Sequence, residues 1–455
     1  MTNQTFTPNI YERHEFSCPC CGRTHELPIG RVSIGAGVAH DLPRHVSELS
    51  LGKKGLLITD EVIYNSLGKS IYEGWRAAGL DIGLFVLKGR IIPNEDAVGK
   101  VICNVPFDAD YLVSIGGGTV TDIVRYAATR LSLPGVSIPS AMTMDGFFTN
   151  MSVIIINGLQ NTYYLDYPTL ILADTDIIAK APSFMNAAGA GEVISKISAA
   201  MDWYAAHEIR DIYYCDAAAD MMGQCIEEGS CDTTINGIPT GAPEAIRLLT
   251  DGLYKSAVGM AWYGSSPCGS GAEHQINHFW VMCQDNKGVR QSMHGQAVGV
   301  GAVVNLMIWE EIMKLDFAHL DIEAALDRLP EKSAWEAEVR RVYGEGAEDI
   351  LRIQAKNHSF DRAVRRAELD RVIERIDLLR KKLASLPTAD ELSRKLETAG
   401  GPNRPQQLNI TRSELIDSIF YAKEMRTGRY NSLWLLETLG IQQQVADTVA
   451  DRLGL

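Results

Sequence analysis

Residues 111–128, YLVSIGGGTVTDIVRYAA, decide the fold that this sequence predicts. An apolar segment is followed by three glycines, Gly116, Gly117 and Gly118. A helical segment then begins near Thr119. Glycines at such a turn let backbone N–H groups approach a pyrophosphate, and the N-terminus of the helix adds partial positive charge. The pattern is not G-x-G-x-x-G, so a nucleotide-binding turn and an ordinary tight strand-to-helix turn both remain open.

Short β-rich runs alternate with amphipathic helical stretches over about residues 31–180. This alternation predicts a parallel sheet covered by helices, and therefore a Rossmann-like α/β domain. The predicted strands are GRVSIG (30–35), GLLITD (55–60), GLFVLKG (83–89), YLVSIGGG (111–118), GVSIPS (135–140) and TLILAD (169–174).

Helical periodicity dominates from residue 183 onward. We therefore predict a cysteine-containing extension at 1–30, a dinucleotide-binding α/β domain at 31–182 and an all-helical metal and substrate domain at 183–455. A charged helical segment spans about 326–400, in which LDRVIERIDLLRKKL (369–383) has the three/four apolar spacing of an amphipathic helix.

Polar residues follow two of the predicted strands. Asp60 ends GLLITD, where an acidic residue can accept from a ribose hydroxyl. The segment GVSIPSAMTMDGFFTN (135–150) carries Ser140, Thr143, Asp145 and Thr149 after its strand. Such groups at the carboxyl end of a strand suit a ligand crevice, and an N-capped turn is the alternative.

Three histidines and one glutamate form the clearest candidate for chemistry. His274 and His278 are four residues apart in GSGAEHQINHFWVM, so on a helix they share one face. His294 opens a second apolar helical stretch, and Glu192 lies in the small-residue segment AAGAGEVISKIS, which could let a substrate approach. Two imidazoles, a carboxylate and an open position describe a catalytic divalent-metal site. The alternative is that these histidines cap or fill helix packing.

Composition restricts the classes of partner. The chain has 455 residues and a net charge of −14, which argues against a nucleic-acid or anionic-membrane partner. It has no apolar run of the roughly 18 residues that a membrane span needs, and the polar N-terminus has no signal-peptide core. Nine cysteines, an odd number, then favour reduced thiols in a cytoplasm.

The N-terminal cluster CPCCGRTH brings Cys18, Cys20, Cys21 and His25 within eight residues. Its composition suits a zinc knuckle, although the spacing is not the usual repeated C-x2-C pair. A turn with ordinary thiols is the other interpretation.

Together these stretches resemble the sn-glycerol-1-phosphate dehydrogenases, within the iron-containing alcohol dehydrogenase and dehydroquinate synthase-like superfamily. The MDG loop and the GAEH-x3-H segment are the most specific part of the resemblance. The matching stretches, in family order, are GGGTVTDIVRYAA, SIPSAMTMDGFFTN, GAGEVISK, SGAEHQINHFWVM, HGQAVGVG and SELIDSIFYAKEMRTGRYNSLWLLETLG.

The resemblance implies roles for individual residues. Glu192, His274 and His294 would hold the metal, His278 would contact substrate or relay a proton, and Asp145 would contact substrate. The family usually has Asp where this chain has Glu192, and the extra methylene moves the carboxylate by roughly 1.5 Å. Dehydroquinate synthases use Glu there. The residues implied to line the nicotinamide nucleotide site are Gly117, Gly118, Thr119, Ser140, Thr143 and Thr149. Asp60, Gly116 and Asp122 are predicted to belong to the same site.

The activity implied is a reversible NAD(P)H-linked reduction of dihydroxyacetone phosphate to sn-glycerol 1-phosphate. It would use one divalent metal, zinc, nickel or iron, in a homodimer or larger homo-oligomer. Asp60 would repel a 2′-phosphate, so NAD(H) should serve at least as well as NADP(H). Lys196 is a candidate for the substrate phosphate or a partner for Glu192, and an ordinary surface lysine is the alternative. The rivals are a related polyol dehydrogenase or dehydroquinate synthase-like enzyme, and a non-catalytic nucleotide-binding relative.

Overall fold

A computed structural model describes residues 9–157, 159–426 and 429–455 of the chain. These residues form two compact units. The first comprises the described residues up to Gly189 together with Glu227–Gly264, and the second comprises Ala190–Ile226 and Ser265–Leu455. Both sheets lie in the first unit, and the second is built from helices. The predicted fold class, a parallel α/β part followed by a helical part, is confirmed.

A seven-stranded sheet forms the centre of the first unit, in the order β1-β2-β9-β6-β5-β3-β4. Every neighbouring pair from β2 to β4 is parallel, whereas β1 pairs antiparallel with β2. All six predicted strands are present, and β1 is an addition. The strands are β1 Glu12–Ser17, β2 Thr24–Gly35, β3 Lys54–Asp60, β4 Asp81–Leu87, β5 Tyr111–Gly116, β6 Gly135–Pro139, β7 Met151–Ile156, β8 Leu159–Tyr164 and β9 Leu170–Asp174.

The central strands are apolar because helices cover both faces of the sheet. Every residue of β5 is buried, as expected for a parallel strand between two helical layers. Val113 belongs to the core cluster on one face and Leu112 to the cluster on the other. Because successive side chains of a strand point to opposite faces of the sheet, this one short strand contributes to both cores.

A separate antiparallel pair, β7 and β8, follows the MDG loop. The alternation of strands and helices does not predict this pair. The sequence feature that indicates it is the Asn-Gly dipeptide at 157–158 between two β-rich runs, which is typical of a β-hairpin. Asn157 has the positive φ of 52° that favours Asn or Gly in such turns. This hairpin therefore adds to the first unit without joining the main sheet.

The helices account for most of the chain after residue 183. In the described part of the chain, no helix combines the length and the apolar character that crossing a membrane requires. The α-helices are α1 Leu42–Glu48, α2 Glu61–Ile63, α3 Lys69–Ala77, α4 Glu95–Asn104, α5 Gly118–Leu131, α6 Thr175–Ala179, α7 Ser183–Arg210, α8 Asp216–Ser230, α9 Asp232–Gly237, α10 Pro243–Tyr263, α11 Ala272–Asn286, α12 His294–Met313, α13 Ile322–Asp327, α14 Lys332–Tyr343, α15 Ala347–Gln354, α16 Arg362–Ala384, α17 Ala389–Thr398, α18 Arg412–Tyr421, α19 Ser432–Leu439 and α20 Gln442–Arg452. Short 3-10 helices are Val38–Asp41, Asp145–Phe148, Ile238–Thr240, Pro267–Gly269, Phe317–His319, Gly344–Gly346, Pro405–Leu408 and Ala422–Met425, and Tyr64–Gly68 is a π-helical turn.

Small residues let α7 and α12 approach closely. A Cβ atom added to Gly191 would lie 2.2 Å from the carbonyl oxygen of Gly295, and one on Gly299 would lie 2.8 Å from Gly191 Cα. The sequence suggested that this segment leaves room for a substrate. At Gly191 that expectation is wrong, because the backbone of α12 fills the space.

The charged segment forms a packed part of the helical unit. Its longest helix, α16, buries Leu369, Val372 and Leu379 completely. The predicted amphipathic helix is therefore confirmed, and its apolar stripe faces the protein interior rather than solvent.

Candidate active site

Glu192, His274 and His294 meet inside the second unit. Each offers a ligand atom within 4.8 Å of the others. Glu192 Oε1 lies 3.6 Å from His274 Nε2, and Glu192 Oε2 lies 3.4 Å from His294 Nε2. Glu192 comes from the interior of α7, His274 from the first turn of α11, and His294 begins α12. Three segments that are distant in sequence thus converge on one fully buried carboxylate.

The outer nitrogens of the two imidazoles have partners of their own. His274 Nδ1 is 2.8 Å from Glu273 Oε1, and His294 Nδ1 is 3.1 Å from Asn277 Nδ2. These contacts turn both Nε2 atoms toward Glu192. A carboxylate on the outer nitrogen fixes the tautomer of a ligand histidine and raises its basicity. Sequence reasoning missed Glu273 and Asn277, although both lie in the GAEHQINH motif.

Lys196 is a partner of Glu192. Its Nζ lies 2.5 Å from Glu192 Oε1 and 3.1 Å from the carbonyl oxygen of Gly269. Burial acts to raise the pKa of Glu192, but Lys196 and the two histidines outweigh it and hold that pKa well below the usual range. Of the two roles considered for Lys196, the contacts favour the ion pair.

The donor set fits a divalent cation. Glu192 Oε2 is buried and has no hydrogen-bond partner among the described residues. A buried carboxylate oxygen without a partner is costly unless a cation or donor compensates it. Two imidazole nitrogens and one carboxylate oxygen are ligands that zinc, nickel and iron all accept. Their arrangement therefore suits a three-ligand catalytic site with an open position.

Asp202 anchors the start of α11 beneath this cluster. Both of its carboxylate oxygens are fully used by donors. Burial and the neighbouring Glu273 raise the pKa of Asp202 to about 7, whereas the hydrogen bonds act in the opposite direction. The donors are the backbone amides of Ala272 (2.7 Å) and Ser432 (3.1 Å), Asn305 Nδ2 (2.8 Å) and Trp309 Nε1 (2.8 Å).

His278 lies one helical turn beyond His274 and outside the ligand cluster. Its ring centroid is 6.3 Å from that of His294, and its Nε2 is 2.8 Å from Arg426 Nη2. Burial and then the positive charge of Arg426 keep the pKa of His278 well below its usual value. His278 is consequently a neutral imidazole that accepts a hydrogen bond from the guanidinium.

The glycine turn lies at the carboxyl end of the parallel sheet in the first unit. Gly116 ends β5, pairs in register with the end of β6, and its carbonyl accepts from Ser140 N at 2.9 Å. A Cβ on Gly116 would lie 2.7 Å from Val120 Cβ, and one on Gly118 would lie 2.8 Å from Met144 Cε. A Cβ on Gly117 would meet no atom of the described residues within 4 Å. Packing thus requires glycine at 116, whereas a Cβ at 118 would displace only the flexible end of Met144, and space remains open at Gly117.

The MDG loop is held by two residues that the sequence did not single out. Asp145 accepts a hydrogen bond from Ser256 Oγ of α10 at 2.7 Å. The buried guanidinium of Arg125 on α5 donates to the carbonyl oxygens of Gly146 (3.0 Å) and Phe147 (3.1 Å). The sequence feature that could have identified Arg125 is its position as the single cation on the buried face of the helix VTDIVRYAATRLS.

Some predicted nucleotide-site residues have structural partners. Asp60 caps α2 by accepting from Ile63 N at 2.8 Å. Asp122 accepts from Val153 N at 3.4 Å, and burial raises its pKa to about 6. The remaining predicted residues are Thr149, whose Oγ1 donates to Gly146 O at 3.2 Å, buried Ser140, and half-buried Thr119 and Thr143.

Comparison with known proteins identifies the family to which the chain belongs. A family profile described as iron-containing alcohol dehydrogenase matches residues 33–182. Glycerol-1-phosphate dehydrogenase [NAD(P)+] from Methanosarcina barkeri is 30% identical over 289 residues, covering 62% of this chain and 78% of that protein. The chain belongs to the glycerol-1-phosphate dehydrogenase family. The enzyme of that name from Geobacillus stearothermophilus is 25% identical over 426 residues, covering 93% of this chain and 96% of its own length.

The family membership inferred from the motifs is thereby confirmed. This member of the glycerol-1-phosphate dehydrogenase family is a metal-dependent NAD(P) oxidoreductase. Its fold agrees with a solved structure, glycerol dehydrogenase from Schizosaccharomyces pombe. The TM-score is 0.56 at 17% identity, with 93% of this chain and 91% of that chain covered.

Proposed function

We propose that the enzyme catalyses the reversible NAD(P)H-linked reduction of dihydroxyacetone phosphate to sn-glycerol 1-phosphate. The observation that carries this proposal is the Glu192, His274 and His294 cluster, in which the buried Glu192 Oε2 has no hydrogen-bond partner among the described residues. The two relatives named above bear the name of this activity.

Glu192, His274 and His294 are the proposed ligands of one divalent ion, either zinc, nickel or iron. When bound, such an ion supplies Lewis acidity that favours negative charge on the reacting oxygen of the substrate. Glu273 keeps the imidazole of His274 facing the ion, and Lys196 balances the charge of Glu192. Asn277 does the same for His294 when its amide is turned so that Oδ1, rather than Nδ2, meets Nδ1–H of that ring. Metal analysis of the purified protein distinguishes the three ions.

The nicotinamide nucleotide is proposed to bind at the glycine turn of the first unit. Gly117 has room for a ligand, and the backbone amides at the start of α5 suit a pyrophosphate. Asp60, which ends the strand next to β5, is proposed to accept from the ribose hydroxyls. The proposal includes NAD(H) use at least equal to that of NADP(H), because a 2′-phosphate beside this carboxylate would be repelled.

His278 is proposed to move the proton that accompanies hydride transfer. Its Nε2 can accept the hydroxyl proton in the oxidation direction, and return it in the reduction direction, once Arg426 has turned from that nitrogen to the substrate. Asp145 is proposed to orient the substrate, since Ser256 and the Arg125-bound loop fix its position.

The substrate phosphate is proposed to bind Arg426. This guanidinium lies 2.8 Å from His278 Nε2, whereas the charge of Lys196 is already paired with Glu192. A guanidinium suits phosphate because it offers a planar fork of donors. Arg426 would therefore select a phosphorylated ketone over its unphosphorylated analogue.

The test compares dihydroxyacetone phosphate with dihydroxyacetone and other ketones, using metal-loaded enzyme and both reduced nicotinamide cofactors. We expect the phosphorylated ketone to be the best substrate. Arg426→Met should raise its KM at least about tenfold, equivalent to about 1.4 kcal/mol of binding, with little effect on dihydroxyacetone. Arg412→Met, which removes a cation bound to Asp447 and Asp451, is the matched control. A better unphosphorylated substrate would indicate a polyol dehydrogenase, and the absence of turnover on every ketone would indicate a non-catalytic relative.

A further inference from the structure

The N-terminal hairpin contains a tight turn built around cysteine. Strands β1 and β2 pair antiparallel up to Ser17 and Thr24, and the chain reverses between them. Cys18 O accepts from Gly22 N at 2.9 Å, and Cys18 N donates to Arg23 O at 2.8 Å. Gly22 has a φ of +70°, the left-handed conformation that glycine adopts without strain. The turn is therefore closed by its own backbone and presents its side chains in a fixed arrangement.

Three of the four candidate ligands in CPCCGRTH converge. The ligand atoms of Cys18, Cys21 and His25 all lie within 4.8 Å of one another. Cys18 and His25 are each 2% exposed, and Cys21 is half-buried. Cys20, in contrast, is exposed to solvent and is not a member of the group. The structure thus separates the four residues into a set of three and one outlier.

The spacing of one pair in the set matches a tetrahedral zinc ion. Zinc lies about 2.3 Å from a cysteine sulfur and about 2.0–2.1 Å from a histidine nitrogen, so the two ligand atoms should be about 3.6 Å apart. Cys21 Sγ and His25 Nε2 are 3.5 Å apart. Thiolate and imidazole are also the ligand types of structural zinc sites, where hard oxygen-binding cations are disfavoured.

The surroundings orient the imidazole. His25 packs against the rings of both Phe16 and Trp262, with centroid distances of 5.4 and 6.4 Å, and it hydrogen-bonds the backbone of Trp262. Histidines that bind metal commonly make such a bond to a backbone carbonyl, because it fixes the ring orientation.

We propose that Cys18, Cys21 and His25 bind a structural zinc ion that ties the N-terminal hairpin together. The hairpin supplies three ligands of a tetrahedral site, and a ligand from outside the hairpin completes the coordination. This ion is a second metal in the chain, additional to the one at Glu192, His274 and His294.

Metal content of the full-length protein tests the proposal. We expect two metal equivalents per chain in the wild type. Cys21→Ser and His25→Asn should each lose one zinc equivalent and retain the other metal and the enzymatic activity. His274→Ala should lose the other equivalent and retain the hairpin zinc. Cys20→Ser, which alters the exposed neighbour in the same turn, is the matched control and should retain both.

Cobalt substitution supplies a measurement that does not depend on the stability of the variants. Wild-type protein stripped of zinc and loaded with Co²⁺ should show thiolate-to-cobalt charge-transfer absorption. The intensity should correspond to two thiolates, or to three if the completing ligand is another cysteine. Cys20→Ser and His274→Ala should keep this absorption, and Cys21→Ser should weaken it. Wild-type protein without the absorption, or loss of zinc in Cys20→Ser equal to that in Cys21→Ser, would overturn the proposal.

Discussion

The helical unit contains two buried histidine–carboxylate groups with similar residues and opposite characters. We call Glu192, His274 and His294 the ligand cluster, and His358, Glu424 and Glu437 the ion-pair cluster; each has its polar atoms within 4.8 Å. In the ligand cluster two imidazoles face one carboxylate, whose Oε2 has no hydrogen-bond partner among the described residues. One carboxylate oxygen and two ring nitrogens thus lie close enough together to share one ion.

In the ion-pair cluster the protein itself satisfies the carboxylates. His358 bridges Glu424 and Glu437 through its two ring nitrogens, each at 3.2 Å. Glu437 also lies 2.6 Å from Arg365 Nη2 and 3.1 Å from Lys423 Nζ. While His358 is protonated, which its raised pKa favours, both ring nitrogens donate to carboxylates and the ring has no lone pair to offer a metal. The comparison teaches that the surrounding cations, rather than the residue types, decide which cluster suits a metal.

The largest effect should come from the ligand cluster. His274→Ala removes one of three ligands, so metal should be lost and ketone reduction should fall by about 10³-fold or more, since Lewis-acid catalysis contributes several kcal/mol. Metal content and NADH oxidation, measured on the same preparation, check this. His358→Gln is the matched change in the ion-pair cluster and should keep both. Equal losses of metal and activity in the two variants would show that the ligand cluster and the ion-pair cluster do not differ in metal binding.

A large loss of stability should instead come from the ion-pair cluster. Glu437→Gln leaves Arg365 and Lys423 buried without their shared carboxylate, and breaking a buried pair in this way costs about 3–5 kcal/mol. Urea denaturation should show this decrease in the free energy of unfolding, with metal content unchanged. Glu323→Gln, an exposed partner of Arg362, should cost less than about 1 kcal/mol. A similar cost in both variants would mean that the ion-pair cluster is not stabilising.

An intermediate effect is expected for the residue that orients His274. Glu273→Gln replaces the carboxylate 2.8 Å from His274 Nδ1 with a weaker acceptor. Metal affinity should fall by about 10–100-fold, as is usual for outer-shell partners. Competition with a chelator measures the change, with Glu323→Gln again as control. Unchanged affinity would indicate that the imidazole is oriented by packing alone.

The smallest effect is a pH dependence confined to the ion-pair cluster. Burial acts to lower the pKa of His358, but Glu424 and Glu437 outweigh it and raise that pKa above 6.5. A raised histidine pKa contributes stability that is fully present below the unfolded value and is lost as pH rises through the folded value. The free energy of unfolding should therefore fall more steeply above about pH 6.5 in the wild type than in His358→Gln. Identical slopes in denaturation series from pH 5.5 to 8.5 would contradict this assignment.

Local pattern was sufficient for the elements that carry the site. The six predicted strands, the helix that places His274 and His278 on one face, and the start of α12 at His294 all follow from periodicity within short segments. A glycine turn after a buried strand likewise needs no information from distant residues. These features depend on side-chain periods of 2 and 3.6, which the sequence displays directly.

Tertiary structure decided the contacts between distant segments. Asp202 anchors Ala272 from 70 residues away, Ser256 holds Asp145 from 111 away, and Gly191 admits α12 rather than a substrate. Lys196 is one helical turn from Glu192, but the sequence does not show whether this lysine is paired or lies on the surface. The packed structure buries both side chains and so favours the ion pair. The sequence by itself thus determined the six parallel strands, the helices that carry the site and the family of the protein. Only the packed structure determined which of its histidines and carboxylates are left with unused lone pairs, because that depends on every neighbour that burial brings within hydrogen-bond distance.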